Sequence, residues 1–305
     1  MSVDVACGEP AFLDLTFAGL DALPGAGEER FARDLLRSPG GGATIAVGAA
    51  RLGLSVALAS PLGRDADGAA LRAALEAEGI RLNSRTVART AVTAVMPVAG
   101  ERAMASFQPD LALRAADLEE HHPRAAILSL TRIGCAPAGA DLYAIAGDED
   151  ARLYGDGLPL GVSAARALVL NAREALALTG ASDVAAAARI LAADAARVVV
   201  TCGRNGAVSV QGGELLEVPG FAVEAVDTTG AGDLFTAAFT WADLGGAPPR
   251  DCLAWACLYA ALSVRVSTAM AGAASIDVLA EAGAQRGLAL PARYSSVQHE
   301  EETPQ

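Results

Sequence analysis

The sequence predicts an α/β fold, a three-layer sandwich in which a central, mainly parallel sheet is flanked by helices and carries a small β lid. Three observations predict it. Short apolar runs of strand length recur at Val3–Cys7, Ser55–Ser60, Ala125–Leu130, Ala167–Leu170 and Arg197–Thr201. Helix-patterned segments lie between them, the rhythm of a parallel sheet covered on both faces. That rhythm breaks once, at Thr90–Phe107, where two β-prone runs flank the polar turn Ala99-Gly100-Glu101-Arg102. With 305 residues, 52% of them hydrophobic, the chain can bury one large core, and residues 1–294 are read as one domain.

Taken in order, Val3–Cys7 is a buried strand, and Ala43–Leu52 is a helix leading into the strand Ser55–Ser60. Asp65 is placed to cap the next helix, which holds Leu71 and Leu75 one turn apart and stops at Gly79. The Thr90–Phe107 hairpin, with residues 10–20 as a further contributor, forms the lid. After Ala167–Leu170 come a helix over Glu174–Thr179 closed by Gly180, a helix over Asp183–Ala193, and the strand Arg197–Thr201. Gly212-Gly213 marks a hairpin within Gly206–Val218, followed by helices near Ala231–Leu244 and Arg250–Val266. Residues 295–305 read as a polar, frayed tail.

The 36 acidic and 23 basic side chains give a formal charge of −13, the opposite of a nucleic-acid or anionic-membrane footprint. Every basic residue is arginine, and lysine does not occur. This excludes the lysine-dependent phosphate loop, Schiff-base chemistry and the S-x-x-K hydrolases. A bound phosphate must therefore be held by backbone amides, arginine or metal. The five cysteines form no C-x-x-C pair and have no histidine at zinc-ligand spacing, so they read as apolar filling in a reducing cytoplasm. The N-terminal residues resemble neither a signal peptide nor a membrane span. His121 and His122, in a polar EEHHPR stretch, read as solvated.

The segment with the strongest chemical content is Asp227-Thr228-Thr229-Gly230-Ala231-Gly232-Asp233, which runs directly into an apolar helix pattern. Small residues ahead of a helix let successive N–H groups converge on an anion, and the helix N-terminus adds partial positive charge. Asp233 falls in the first turn beside this cradle, where a carboxylate can accept the proton of an attacking hydroxyl. Taken alone, G-A-G-D is read equally well as a glycine turn whose aspartate stabilises its own helix.

DTTGAGD resembles the C-terminal signature of the ribokinase-like (PfkB-type) carbohydrate kinases, and PGGGATIAVGAARLGLSVALASPLGRDADG resembles their N-terminal signature. Asn171-Ala172-Arg173-Glu174 is similar to the family's N-x-x-E, and Thr201-Cys202-Gly203-Arg204-Asn205-Gly206 to its T-x-G-x-x-G loop; the matches run in family order from about Val3 to Ala273. The resemblance implies an ATP-dependent kinase acting on a hydroxyl of a small sugar or sugar acid, with Mg²⁺ and, beside the anion hole, K⁺. Asp233 would be the base, and the amides of Gly230, Ala231 and Gly232 the anion hole. Asp14, Gly40, Gly41, Gly42 and Thr44 would contact the acceptor. Asn171, Glu174, Thr201, Gly203, Gly206, Gly232 and Cys257 would serve ATP, Glu174 also organising Mg²⁺ indirectly. Asp227, Thr229 and Gly272 match the cation positions. A lid pairing across subunits would make a homodimer.

Simpler readings stand beside these. Asn171 and Glu174 have the spacing of a capping box, Gly40–Gly42 that of a turn, and Asp14 that of a strand-end aspartate. The sequence departs from the family at Thr44 and Cys257, each where an asparagine is usual, and at Pro39, where the first glycine of a pair is usual. Within kinases, a nucleoside or phosphosugar acceptor is the alternative, the latter needing converging arginines, of which Arg102 is one candidate. Outside enzymes, a silent sugar- or nucleotide-binding relative is the rival. A nicotinamide-dependent Rossmann enzyme fits less well, because Gly40–Gly48 lacks G-x-G-x-x-G and follows the charged stretch RFARDLLRSP rather than an apolar strand.

Overall fold

A computed structural model describes residues 2–83, 85–98, 101–110, 112–155 and 157–295. Nine strands form the main sheet. In chain order with the lid strands, the first nine strands are β1 (Val3–Cys7), β2 (Ala11–Ala18), β3 (Asp34–Gly41), β4 (Val56–Leu58), β5 (Leu62–Gly63), β6 (Arg81–Leu82), β7 (Thr86–Val87), β8 (Val92–Val98) and β9 (Glu101–Phe107). The rest are β10 (Pro123–Ser129), β11 (Asp141–Ile145), β12 (Ala167–Asn171), β13 (Arg197–Thr201), β14 (Ala207–Gln211) and β15 (Glu214–Val218). The main sheet runs β15-β14-β13-β12-β11-β10-β1-β4-β6. It is parallel from β13 to β6, with an antiparallel hairpin, β14–β15, at one edge.

Residues along each parallel strand alternate between two cores. Ala125 and Ile127 of β10 face one cluster, with the helices α1 (Gly42–Arg51), α7 (Ala231–Leu244) and α8 (Pro249–Ser263). Ala126 and Leu128 face the other, with α5 (Ala172–Thr179) and α6 (Val184–Leu191). Burial on both faces is why these strands read as continuous apolar runs.

The smaller sheet, β3-β2-β8-β9, joins the Thr90–Phe107 hairpin to two strands near the N-terminus. One of them corrects the sequence reading: the charged stretch before Gly40 is a strand, β3, paired antiparallel with β2 over eight residues from Ala11↔Gly41 to Ala18↔Asp34. Its first residues lie largely in solvent, so it lacks the apolar run that marked the core strands. Asp14 is likewise mid-strand in β2 and buried, not at a strand end. Ala99 and Gly100 of the turn lie outside the described residues.

Asp65 caps α2 (Ala66–Ala77) by accepting the Gly68 N–H at 2.9 Å, as its position predicted. His121 corrects another expectation: its side chain is largely covered by protein, and burial lowers its pKa, opposed by Glu120. The chain is ordered into helix through Ser295, one residue into the segment read as a tail, and Tyr294 stacks on Trp241 with centroids 4.9 Å apart. Residues 296–305 lie outside the described residues. Among the described residues no helix is long and apolar enough to cross a membrane.

Candidate active site

The parallel strands end on one side of the sheet, and the candidate site is built on those ends, where ligands of open α/β sheets bind. Gly8-Glu9 follows β1, Ser129 closes β10, Ile145 closes β11, Asn171 closes β12 and Thr201 closes β13. The N-terminus of α7 comes to the same edge. These segments enclose a cavity of about 320 Å³ lined by, among others, Glu9, Arg102, Asn171, Glu174, Gly230 and Asp233. Gly232, Thr201, Asp150 and Thr236 complete its polar wall. A second hollow of about 310 Å³ lies at Gly63–Ala73, but Asp65 there is already committed to Gly68 and Thr90.

Gly230 is the residue before α7 and takes φ 73°, a left-handed turn that glycine adopts without penalty. A Cβ there would lie 2.4 Å from the Cβ of Ala269 and 3.1 Å from Cγ2 of Thr44. The first turn of α7 has no intrahelical acceptors for its N–H groups, so amides there are available to an anion. Ala231 departs from the expected set, since its N–H already reaches Thr228 O at 3.3 Å.

Asp233 lies in that first turn, on the cavity wall. Its pKa is pushed up to about 7, first by burial, then by the nearby negative charges of Asp14 and Glu9, with Arg102 opposing and Glu174 adding a smaller push. Asp14 is raised to about 6 by burial and by Asp227, again opposed by Arg102. Glu174 is raised to about 7, chiefly by burial. One arginine thus stands among several carboxylates that resist ionising together. Arg102, from β9, also donates from NH1 to Oγ1 of Thr228 at 3.2 Å, joining the small sheet to the glycine loop.

The other expected residues divide. Asn171 and Glu174 line the cavity and also form the capping box: Asn171 Oδ1 accepts the Glu174 N–H at 2.9 Å, and Glu174 Oε2 accepts the Asn171 N–H at 2.8 Å. Gly40, Gly41 and Gly42 are required by the chain itself. A Cβ would meet Asp14 Oδ2 at 2.1 Å, Pro10 O at 2.6 Å and Glu9 O at 2.3 Å respectively. Thr44 is 2% exposed, and its methyl packs beneath Gly230, so it also supports the loop. Cys257 is buried within α8 and is not on the cavity wall, and burial raises its thiol to about 12, with Cys202 adding to the push. Gly203 and Gly206 lie past Thr201 and outside this cavity; a Cβ on Gly206 would meet Val218 O at 2.0 Å.

Asp227 ties the glycine loop down, accepting the Thr229 N–H at 2.9 Å and the Thr268 N–H at 3.0 Å. The Thr229 hydroxyl is buried and has no hydrogen-bond partner among the described residues. Gly272 packs against Ser263, whose carbonyl a Cβ would approach to 2.3 Å.

Two residues had no role in the sequence reading. Glu9 is a buried carboxylate that accepts the Ser129 N–H at 2.6 Å, and burial raises its pKa, opposed by Arg132. Asp150 accepts the Thr131 N–H at 2.9 Å and the Gly147 N–H at 2.8 Å. An acidic residue two positions after the first core strand was the available signal for Glu9; Asp150 sits in a stretch without a recognisable pattern.

The fold and this strand-end cavity define the class: a ribokinase-fold protein with a glycine-rich loop leading into the helix at the cavity. The family model described as pfkB family carbohydrate kinase matches residues 21–133 and 135–275, and the chain belongs to that family. Members of the family are phosphotransferases with alcohol acceptors. A ribokinase of Bacillus subtilis (strain 168) is 29% identical over 267 residues, 80% of this chain and 87% of that protein. A cytidine kinase of Thermococcus kodakarensis is 44% identical over 87 residues, 27% of this chain, so that the chain spans about a third of that relative, 31%. The structure of Arabidopsis thaliana ribokinase complexed with ribose and ATP superposes with a TM-score of 0.75 at 24% identity, covering 92% of this chain and 99% of that one, a likeness of fold.

Proposed function

We propose that this chain transfers the γ-phosphoryl group of ATP to a hydroxyl of a small sugar or sugar acid, with Asp233 as general base. The observation that carries this reading is the position of Asp233: in the first turn of α7, beside the Gly230 and Gly232 amides, with a pKa near the working range of a base. The acceptor oxygen bonds to the γ-phosphorus, the bond to the ADP oxygen breaks, and the hydroxyl proton passes to the Asp233 carboxylate. Asp14 accepts hydrogen bonds from other acceptor hydroxyls, and the α7 amides with Arg102 face the charge on the transferring group. The sheet β3-β2-β8-β9 acts as a lid that keeps water from the phosphoryl group.

Among the described residues no group of three metal-ligating side chains is preassembled. The wall oxygens of Asn171 and Glu174 nonetheless suit Mg²⁺, which typically takes one or two carboxylates and otherwise phosphates and water. When bound with the nucleotide it supplies neutralisation of phosphate charge; Glu174 would hold it through water. The unpartnered Thr229 hydroxyl beside Asp227 suits a monovalent cation such as K⁺ near Gly272. A nucleoside acceptor is the second reading, favoured by the local similarity to the cytidine kinase.

The test is ADP release with Mg·ATP and K⁺ across sugars, sugar acids and nucleosides, beside Asp233→Asn. Acceptor-dependent turnover that falls about 10²- to 10⁴-fold in the variant supports the reading. Ligand binding without turnover in the parent protein replaces it with a silent binding relative.

A further inference from the structure

We propose that Arg51, at the far end of α1 from the cavity, is a positioning residue that holds the anion cradle in place through the 268–273 loop. It is the last residue of α1, nine residues after Gly42, so it lies about 14 Å along the helix axis from the site. Its guanidinium is fixed on one side by Glu78, with Nε donating to Oε2 at 3.0 Å and NH2 to Oε1 at 2.7 Å. The remaining nitrogen, NH1, donates to Met270 O at 2.7 Å and Ala273 O at 2.6 Å.

Those carbonyls belong to the short helix α9 (Ala269–Gly272) and the residue after it, the segment that touches the cradle. Ala269 packs against Gly230, close enough that no Cβ fits there. Thr268 donates its N–H to Asp227, whose other carboxylate oxygen accepts from Thr229. Thr268 is β-branched yet takes φ 71°, a conformation that persists only where the surroundings over-determine it. Arg51 supplies that determination from outside the site. A bidentate carboxylate partner leaves the planar guanidinium no freedom to swing away, and a lysine could not make the same set of bonds.

The activity arm rests on the kinase reading; the amide arm does not. Arg51→Gln is compared with Arg51→Lys by acceptor-dependent turnover, thermal melting and hydrogen exchange of individual amides. The expected result is a kcat about 10- to 100-fold lower with acceptor KM little changed, the scale of a small misplacement of catalytic groups. In the same variant the Thr229 and Thr268 amides should exchange faster while those of β10 and α8 stay protected. Arg51→Lys, which keeps the charge, should show the same faster exchange and guards against a Gln variant that fails to fold. Unchanged protection of both amides in the folded variants overturns the proposal, whether or not the parent protein turns over. So does a lowered melting temperature with kcat unchanged.

Discussion

Gly40 lies so close under the Asp14 carboxylate that a Cβ on it would sit 2.1 Å from Oδ2. The glycine is therefore a mould for the aspartate: β3 gives up a side chain where the carboxylate from β2 lies, close enough for its charge to act on Asp233. Gly40→Ala should displace Asp14 with little effect on the fold, because the strand pairing from Ala11↔Gly41 onward needs no side chain at that position. Acceptor KM should rise about tenfold or more while ATP KM stays put, the scale of a lost charge-assisted hydrogen bond. Steady-state kinetics in both substrates check this.

A base must be ionised to accept a proton, and Asp233 has its pKa raised to about 7, chiefly by burial. The kcat/KM profile should therefore fall on the acid side through about pH 7, rather than near the usual carboxylate range. Replacing Arg102 by methionine removes a cation that opposes that shift, so the acid limb should move to higher pH. A limb that stays fixed would mean that Arg102 is not the controlling charge.

The same raised value predicts a stability cost. A carboxyl whose folded pKa lies above its unfolded value binds extra protons in the folded state, so its stabilising effect is full below about pH 4 and is lost as pH rises through about 7. Asp233→Asn should therefore be inactive yet more heat-resistant than the parent at pH 8, by about 1–2 kcal/mol after allowing for its partial exposure to the cleft. At pH 4 the difference should vanish. Melting curves at the two pH values measure it.

Away from the site, Asp243 on α7 is held by Arg197 NH1 at 2.9 Å, by Arg166 Nε at 2.5 Å and by the Tyr143 hydroxyl at 2.6 Å. Burial works against its charge, but these bonds hold its pKa below the usual value. Arg197→Met should destabilise the chain by about 3–5 kcal/mol, since it leaves a buried carboxylate underpaired. Chemical denaturation reads that loss, and the substrate KM values of whatever remains folded should not move.

The alternation of buried strands with helices was legible because a parallel sheet covered on both faces needs apolar runs, and the helices over it need caps such as Asp65 and stops such as Gly180. The glycine turn that places Asp233 in the first turn of α7 was legible because a helix N-terminus is a local device, written in seven consecutive residues. β3 was not legible: Asp34, Leu35 and Arg37 are exposed, so the stretch carries no core pattern, and its register with β2 makes it a strand. The packing of the Thr44 methyl against Gly230 was not legible either, because the two residues lie far apart in the chain.

What the sequence determined alone was the alternation of core strands with helices and the glycine-rich turn that carries Asp233 into α7, both of which depend on neighbours within a helical turn or a strand. What only the tertiary structure decided was the company Asp233 keeps: Glu9 after β1, Asp14 from β2, Arg102 from β9 and Glu174 from α5. These residues are far apart in the chain. The charges that set Asp233's proton affinity act through space, so their effect appears only once the strand ends and the small sheet converge on one cavity.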